Sequence, residues 1–170
     1  ETESVWPKLE QALRQAISNL VAMRETEGSN IYGDFIKRAD LIAEKLAVIE
    51  ERSPQVVEEY QIRLSDRINE LLAKHNQVIE PERLLQEVAI FADRTSITEE
   101  IVRLKSHIKQ FRLIIDADQP VGRKLDFLIQ EFNREANTIA SKANDYTLAQ
   151  VVVEIKAEIE KIREQIQNIE

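Results

Sequence analysis

The last part of the sequence carries the pattern that most restricts its fold, an apolar residue at alternating intervals of four and three positions. Seven aliphatic residues follow this rule without interruption: Leu148, Val152, Ile155, Ile159, Ile162, Ile166 and Ile169. A mean repeat of 3.5 residues places them on one side of an α-helix, as in coiled coils and helical bundles. The segment from Thr147 onward is therefore predicted to be a helix that buries this seam, either against the preceding helix or against another subunit.

The rest of the chain also has helical periodicity. Gly and Pro together account for only seven of the 170 residues, which argues against a turn-rich all-β fold. Between the breaks, apolar residues recur at spacings of three and four. The sequence therefore predicts an all-α fold of about seven helices, arranged as extended antiparallel hairpins or a bundle. The predicted helices cover 5–27, 30–51, 54–78, 80–94, 97–117, 121–143 and 147 onward.

Several breaks between these helices are assigned to capping residues. Gly28 is predicted to be a C-cap, and Ser53-Pro54 an N-cap followed by proline at the first helical position. Capping-box spacing occurs at two further predicted starts, Ser96 to Glu99 and Thr147 to Gln150. We divide the chain into a helical arm or linker region, 1–94, and a C-terminal helical domain, 95–170.

Composition removes several classes of function. Cysteine is absent, which excludes a disulfide scaffold, a thiolate zinc site and a cysteine nucleophile. No glycine-rich phosphate loop and no H-E-x-x-H motif occurs. With neither a secretory signal nor a run of about 18 apolar residues, a cytoplasmic protein without a membrane span is expected.

The charge is unevenly distributed along the chain. The net charge is −8, and an acidic surface disfavours indiscriminate binding of nucleic acid. Residues 101–142, however, contain eight basic and five acidic side chains, a local charge of +3 that leaves −11 for the remainder. A basic segment in an acidic chain is compatible with a polyanion site, and equally with chance variation.

Two predicted helices carry the chemically useful side chains. In the helix 97–117, Glu100, Arg103 and His107 recur at spacings of three and four beside the apolar seam. In the helix 121–143, Glu131 and Glu135 form one stripe, flanked by lysines, and amides with an aspartate form another. Such groups can position a phosphate or hold a divalent metal. They can equally be ion pairs that satisfy a polar helix flank.

The sequence of these two helices resembles the YicC/YloC family of bacterial endoribonucleases. The resemblance is carried by Val121-Gly122-Arg123-Lys124-Leu125-Asp126-Phe127-Leu128, Gln130-Glu131-Phe132-Asn133-Arg134-Glu135, Asn137-Thr138, Ser141-Lys142, Glu99-Glu100, Arg103-Leu104 and His107. Further matching segments lie near Met23 and Arg163. The resemblance implies that the chain is the carboxyl-terminal helical part of a protein with an additional amino-terminal domain.

The resemblance implies that the protein is an endoribonuclease that cleaves single-stranded or structured RNA. It implies that the enzyme requires a divalent metal, Mn²⁺ or Mg²⁺. It also implies a homo-oligomer and suggests a hexamer. The activity of the helical part alone is left open. A non-catalytic helical oligomerisation or adaptor module is the alternative, since it explains the seam and the acidity without any chemistry.

The resemblance also gives the polar residues candidate roles. The candidate catalytic residues are His107, Glu100, Glu131 and Glu135. The candidate RNA-binding residues are Arg103, Arg123, Lys124, Arg134, Asn133, Asn137 and Lys142. The candidate metal ligands are Asp126, Glu131 and Glu135. Two routes remain open, in which a metal activates water or His107 acts as a base on the 2′-hydroxyl.

Overall fold

The computed structural model describes residues 2–73 and 80–169, which fold into helices and short connections. The five described helices are α1 (Thr2–Ala73), α2 (Pro81–Thr95), α3 (Thr98–Ile115), α4 (Gly122–Lys142) and α5 (Tyr146–Ile166). This confirms the all-α prediction. The prediction of about seven helices is wrong, because the described residues form five.

The difference in helix number arises in α1, where three predicted helices form a single helix of 72 residues, about 110 Å long. Gly28 lies inside this helix rather than at its end, since one glycine costs only about 1 kcal/mol in a helix interior. The predicted extension of the third helix to residue 78 lies partly outside the described residues.

Ser53-Pro54 likewise lies within α1 and begins no new helix. A proline in a helix interior removes a backbone hydrogen bond and clashes with the preceding turn. Tertiary contacts hold the helix together on both sides of the proline. Ile49 and Val56 are buried, and Arg52 donates to both Glu59 and Asp145 at 2.9 Å.

Four helical segments form a closed antiparallel ring around one core. The middle of α1 contacts α3 and α5, and α4 contacts the same two helices from the other side. Ion pairs and hydrogen bonds show that α1 runs antiparallel to both α3 and α5. Residues early in α1 pair with residues late in α3 and α5, and later residues of α1 pair with earlier ones. The pairs are Tyr32–Asp116, Asp40–Arg112 and Glu50–Lys105 on one side and Arg38–Glu158 and Arg52–Asp145 on the other.

The heptad seam of α5 is buried in this core. Its residues from Leu148 to Ile166 are buried, and Ile169 packs against them. The partners are α1 and α4 of the same chain, so within the described residues the seam is covered without a second subunit. The core also includes residues of α1 between Phe35 and Val56, so residues before and after position 95 contribute to it. The predicted division into two regions at residue 95 stays a prediction.

The predicted capping boxes set neither of the two helix starts at which they occur. α3 begins at Thr98 with Ile97 as its N-cap, which makes no side-chain capping bond and is itself buried. α5 begins at Tyr146 because Asp145 caps it, accepting from the Leu148 amide at 2.9 Å. The predicted caps at Ser96 and Thr147 are therefore wrong. Asn144, with φ of 43°, allows the sharp reversal between α4 and α5.

The first third of α1 extends away from this core. Its large apolar side chains, with 49–60% of their surface exposed, form a stripe of Val5, Trp6, Leu9, Leu13, Ile17, Leu20, Val21 and Met23. We call this set the α1 stripe. Among the described helices, none combines the length and apolar character needed to cross a membrane. At the opposite end of α1, α2 is attached through stacked Tyr60 and Phe91 rings.

Candidate functional site

The antiparallel packing of α3 against α4 brings the two polar stripes together. At one end, Lys142 donates to Glu100 at 2.9 Å. One turn further along α3, Nε of Arg103 lies 3.0 Å from Oε2 of Glu135. Beyond it, the imidazole of His107 lies over the ring of Phe132, with 6.3 Å between ring centroids. The residues that the sequence placed on two separate helices thus line a single contact.

The centre of this contact is a group of three possible metal ligands, His107, Glu131 and Glu135, which we call the trio. One ligand atom from each lies within 4.8 Å of the others. Glu135 is only 1% exposed, whereas the other two are half-buried. Both ring nitrogens of His107 are buried and have no hydrogen-bond partner in the described structure, although buried polar atoms are ordinarily satisfied.

The donor set of the trio is suited to a divalent metal ion. Two carboxylates favour hard cations such as Mg²⁺ and Mn²⁺, whereas an imidazole favours first-row transition metals. The combination fits Mn²⁺ better than Mg²⁺. An unpartnered imidazole beside two carboxylates is the observation that supports this fit, because a ligated nitrogen would no longer lack a partner.

Two arginines compete with any cation for the carboxylates of the trio. Nη2 of Arg134 lies 2.7 Å from Oε2 of Glu131 and 3.1 Å from Oε1 of Glu135. The second oxygen of Glu135 faces Arg103. These pairs place a positive charge beside each carboxylate in a poorly solvated position, where unpaired charges are costly. The same contacts therefore support either a structural ion-pair network or a site where arginine gives way to a metal.

Glu100 lies outside the trio and supports it through Arg103. Its carboxyl group is buried. Although burial by itself raises the pKa of Glu100, contacts with Lys142 and Arg103 outweigh this effect and lower the pKa below its ordinary value. Chiefly through its contact with Glu135, the pKa of Arg103 is raised above its ordinary value. Glu100 and Lys142 are thus engaged with each other, and their catalytic and RNA-binding roles stay predictions.

A groove of about 460 Å³ opens beside the trio. It is lined by His107, Gln110 and Ile114 of α3 and by Arg123, Lys124, Phe127, Leu128 and Glu131 of α4. Arg123 and Lys124 are exposed and make no ion pair in the described part of the chain. They lie in the first turn of α4, where the helix dipole disfavours cations. The presence of Arg123 and Lys124 at these positions is therefore not explained by a contribution to the stability of α4.

Three predicted site residues lie away from the trio and the groove. Asp126 is exposed and accepts from Gln130 at 3.1 Å. It points away from the trio because the separation of five positions between it and Glu131 turns the helix by about 140°. Asn137 accepts from Lys156 of α5 at 2.8 Å. Asn133 is half-buried and lines neither feature. Their predicted roles find no support in the geometry of the described residues.

Four groove residues were not predicted from the sequence as site residues, the exposed Gln110 and Phe127 and the more buried Ile114 and Leu128. The available signal for Phe127 was its spacing, three residues after Lys124 and four before Glu131, which places all three on one helix face. This spacing does not stand out in the sequence, because Phe127 is next to core residues and can be taken for one of the apolar residues of the buried face. Gln110 stands three residues after His107 on α3 and offered the same signal.

Comparisons with known proteins agree with the sequence motifs. Residues 49–170 match the family model described as endoribonuclease YicC-like, C-terminal. Over its full length the chain is 51% identical to a protein of Clostridioides difficile and 35% identical to one of Haemophilus influenzae, each named probable endoribonuclease YicC. It spans 58% of the length of each relative. The chain therefore belongs to the family of YicC-like endoribonucleases, of which it includes the C-terminal domain.

Proposed function

We propose that this chain is the helical part of a divalent-metal-dependent endoribonuclease and that the scissile phosphate of its RNA binds at the trio. The observation that carries the proposal is the imidazole of His107, which has no partner among the described residues and faces Glu131 and Glu135 beside a groove lined by Arg123 and Lys124. The names of the two relatives support the reaction class.

The residues around the trio have separable tasks in this proposal. Arg123 and Lys124 attract the phosphates beside the cleaved bond. Arg134, which is 61% exposed at its side chain, can leave the carboxylates and donate to a phosphoryl oxygen as negative charge develops. A cation held by His107, Glu131 and Glu135 would supply Lewis-acid stabilisation of charge at the phosphate.

His107 can serve only one of the two routes at a time. A neutral imidazole has one nitrogen that carries hydrogen and one with a free lone pair. The lone pair can bind a metal or take a proton from a 2′-hydroxyl, but not both. In the second route the 2′-oxygen attacks phosphorus while the bond from phosphorus to the 5′-oxygen breaks, and the 5′-oxygen takes up a proton, so the ends are a 2′,3′-cyclic phosphate and a 5′-hydroxyl. When water attacks phosphorus instead, one phosphorus–oxygen ester bond breaks and the ends are a linear phosphate and a hydroxyl. A 5′-phosphate end would therefore exclude His107 as the base of the second route, because that route leaves a 5′-hydroxyl.

Incubation of the complete protein with labelled single-stranded RNA tests the proposal. We expect internal cuts with Mn²⁺, weaker or equal cleavage with Mg²⁺, and none with EDTA. Gel analysis with and without phosphatase treatment distinguishes the product ends. Cleavage that resists chelation would contradict the metal requirement. Tight RNA binding without cuts would support the adaptor alternative.

We also propose that the protein assembles into a homo-oligomer through the α1 stripe. Eight large apolar side chains on one exposed helix segment form a patch of the kind that marks interaction sites. Light scattering of the purified protein should give a mass of several subunits, and Leu13→Glu with Ile17→Glu should lower it. A monomeric wild-type protein would contradict this proposal.

A further inference from the structure

Phe127 is the one large aromatic side chain that the described residues of α4 leave exposed, at 64% of its surface. Its neighbours Leu125 and Leu128 are buried in the core, so the helix does not need Phe127 for packing. An isolated exposed apolar residue is common on protein surfaces and by itself indicates nothing. What distinguishes Phe127 is its location in the groove beside the trio.

The groove arranges three kinds of group in one line along α4. Lys124, Phe127 and Glu131 are separated by three and four residues and so share a helix face, and all three line the groove. Going along the helix, the line runs from a cation without an ion pair among residues 2–73 and 80–169, through an aromatic ring, to a carboxylate of the trio. Ile114 and Leu128 add apolar surface to the same walls.

We infer that this groove is a nucleobase subsite in which a base stacks on the ring of Phe127 while an adjoining phosphate binds Arg123 and Lys124. The inference rests on the proposed function, since it assigns part of the RNA to the groove beside the trio. Base stacking on exposed aromatic rings is the usual way in which proteins hold unpaired nucleotides. The positive charge of Arg123 and Lys124 in the groove lining favours a polyanion over an apolar peptide as its occupant.

The subsite defines a class of substrate. A base can reach the ring only when it is not stacked within a duplex, so Phe127 selects single-stranded segments, loops or ends. Every base presents an aromatic face, and the groove therefore discriminates by strand state rather than by base identity.

The test compares RNA binding by the complete protein and by Phe127→Ala and Phe127→Trp. Fluorescence anisotropy in EDTA, at one salt concentration, follows a short single-stranded RNA, the same RNA annealed to its complement, and copies with one abasic position placed along the strand. We expect Phe127→Ala to weaken single-strand binding by about 5- to 100-fold. Phe127→Trp should retain it, and duplex binding should be unchanged.

Two control variants separate stacking from charge and from general surface effects. Leu113→Ala removes an equally exposed apolar side chain of α3 outside the groove and should bind as wild type. Arg123→Ala with Lys124→Ala should weaken the intact and abasic RNAs alike and make binding less dependent on salt. One abasic position should reduce wild-type binding and abolish the difference between wild type and Phe127→Ala.

Each result decides the inference. Equal affinity of wild type and Phe127→Ala for single-stranded RNA, with cleavage intact, would overturn the subsite and leave the proposed function standing. A change in oligomeric mass with Phe127→Ala, without a change in RNA affinity, would overturn it in favour of a protein interface. Failure of the wild type to bind or cut any RNA would overturn the subsite together with the proposed function.

Discussion

A protein in which Glu131 and Glu135 are both replaced by glutamine is expected to lose RNA cleavage, by at least about 100-fold, because a general base or a catalytic metal contributes at least that much. Glutamine retains the shape of glutamate but removes the negative charge that binds a cation. The measurement is the initial rate of cleavage in Mn²⁺, together with Mn²⁺ binding followed by electron paramagnetic resonance.

The design of this experiment has to account for the arginines. Since Glu135 is buried between Arg103 and Arg134, its replacement leaves two cations less well paired and lowers stability. Glu131→Gln alone is the milder variant, because Glu131 is half-buried. Glu160→Gln on α5, an exposed residue that belongs to neither the trio nor the groove, is the matched control and should cleave as wild type. A folded double variant with full activity would remove both carboxylates from the mechanism.

Replacing Phe132 by alanine is expected to lower the free energy of unfolding by about 3–5 kcal/mol, the usual cost of removing a fully buried phenyl ring. Phe132 is 0% exposed, and its ring centroid lies 6.0 Å from that of Phe111 and 6.3 Å from that of His107. The variant therefore opens a cavity beneath the trio. Urea unfolding followed by circular dichroism measures the change.

Phe127→Ala provides the matched control, since it removes the same side chain from the same helix. Because Phe127 is exposed, its replacement should change stability by no more than about 0.5 kcal/mol. Phe132→Leu, which retains most of the volume, should cost less than about 1.5 kcal/mol. Equal destabilisation by Phe127→Ala and Phe132→Ala would contradict the assignment of one ring to the core and the other to the groove.

Much of the site could be predicted from the sequence, because the spacing of residues within one helix already shows which side chains share a face. The spacing of Glu100, Arg103 and His107 puts them on one face of a helix whatever surrounds it, and the same holds for Glu131 and Glu135. The two faces meet in the structure as ion pairs, which is one of the two interpretations that the sequence allows. Asp126 was included through the family resemblance, and the helical rotation between Asp126 and Glu131 separates it from the trio.

The groove could not be predicted in the same way. It depends on Phe127 pointing away from the core although Leu125 and Leu128 beside it are buried. The apolar pattern does not distinguish a core residue from an exposed one at the edge of the buried face. Only the packing of α3 against α4, which brings Gln110 and Ile114 opposite Phe127, makes the position part of a site.

Periodicity alone determined that the chain is helical, that α5 buries a continuous seam and that α3 and α4 carry polar stripes, because these properties depend on residues within a few turns of one another. The tertiary structure decided that α1 continues through Gly28 and Pro54, that the seam packs within the chain, and that His107 faces two carboxylates. A glycine or proline costs a helix about 1–3 kcal/mol. At Pro54, contacts between residues far apart in the chain outweigh that cost, and no local pattern records them. At Gly28, which lies in an exposed stretch of α1, the cost is the smaller one and the helix continues without such contacts.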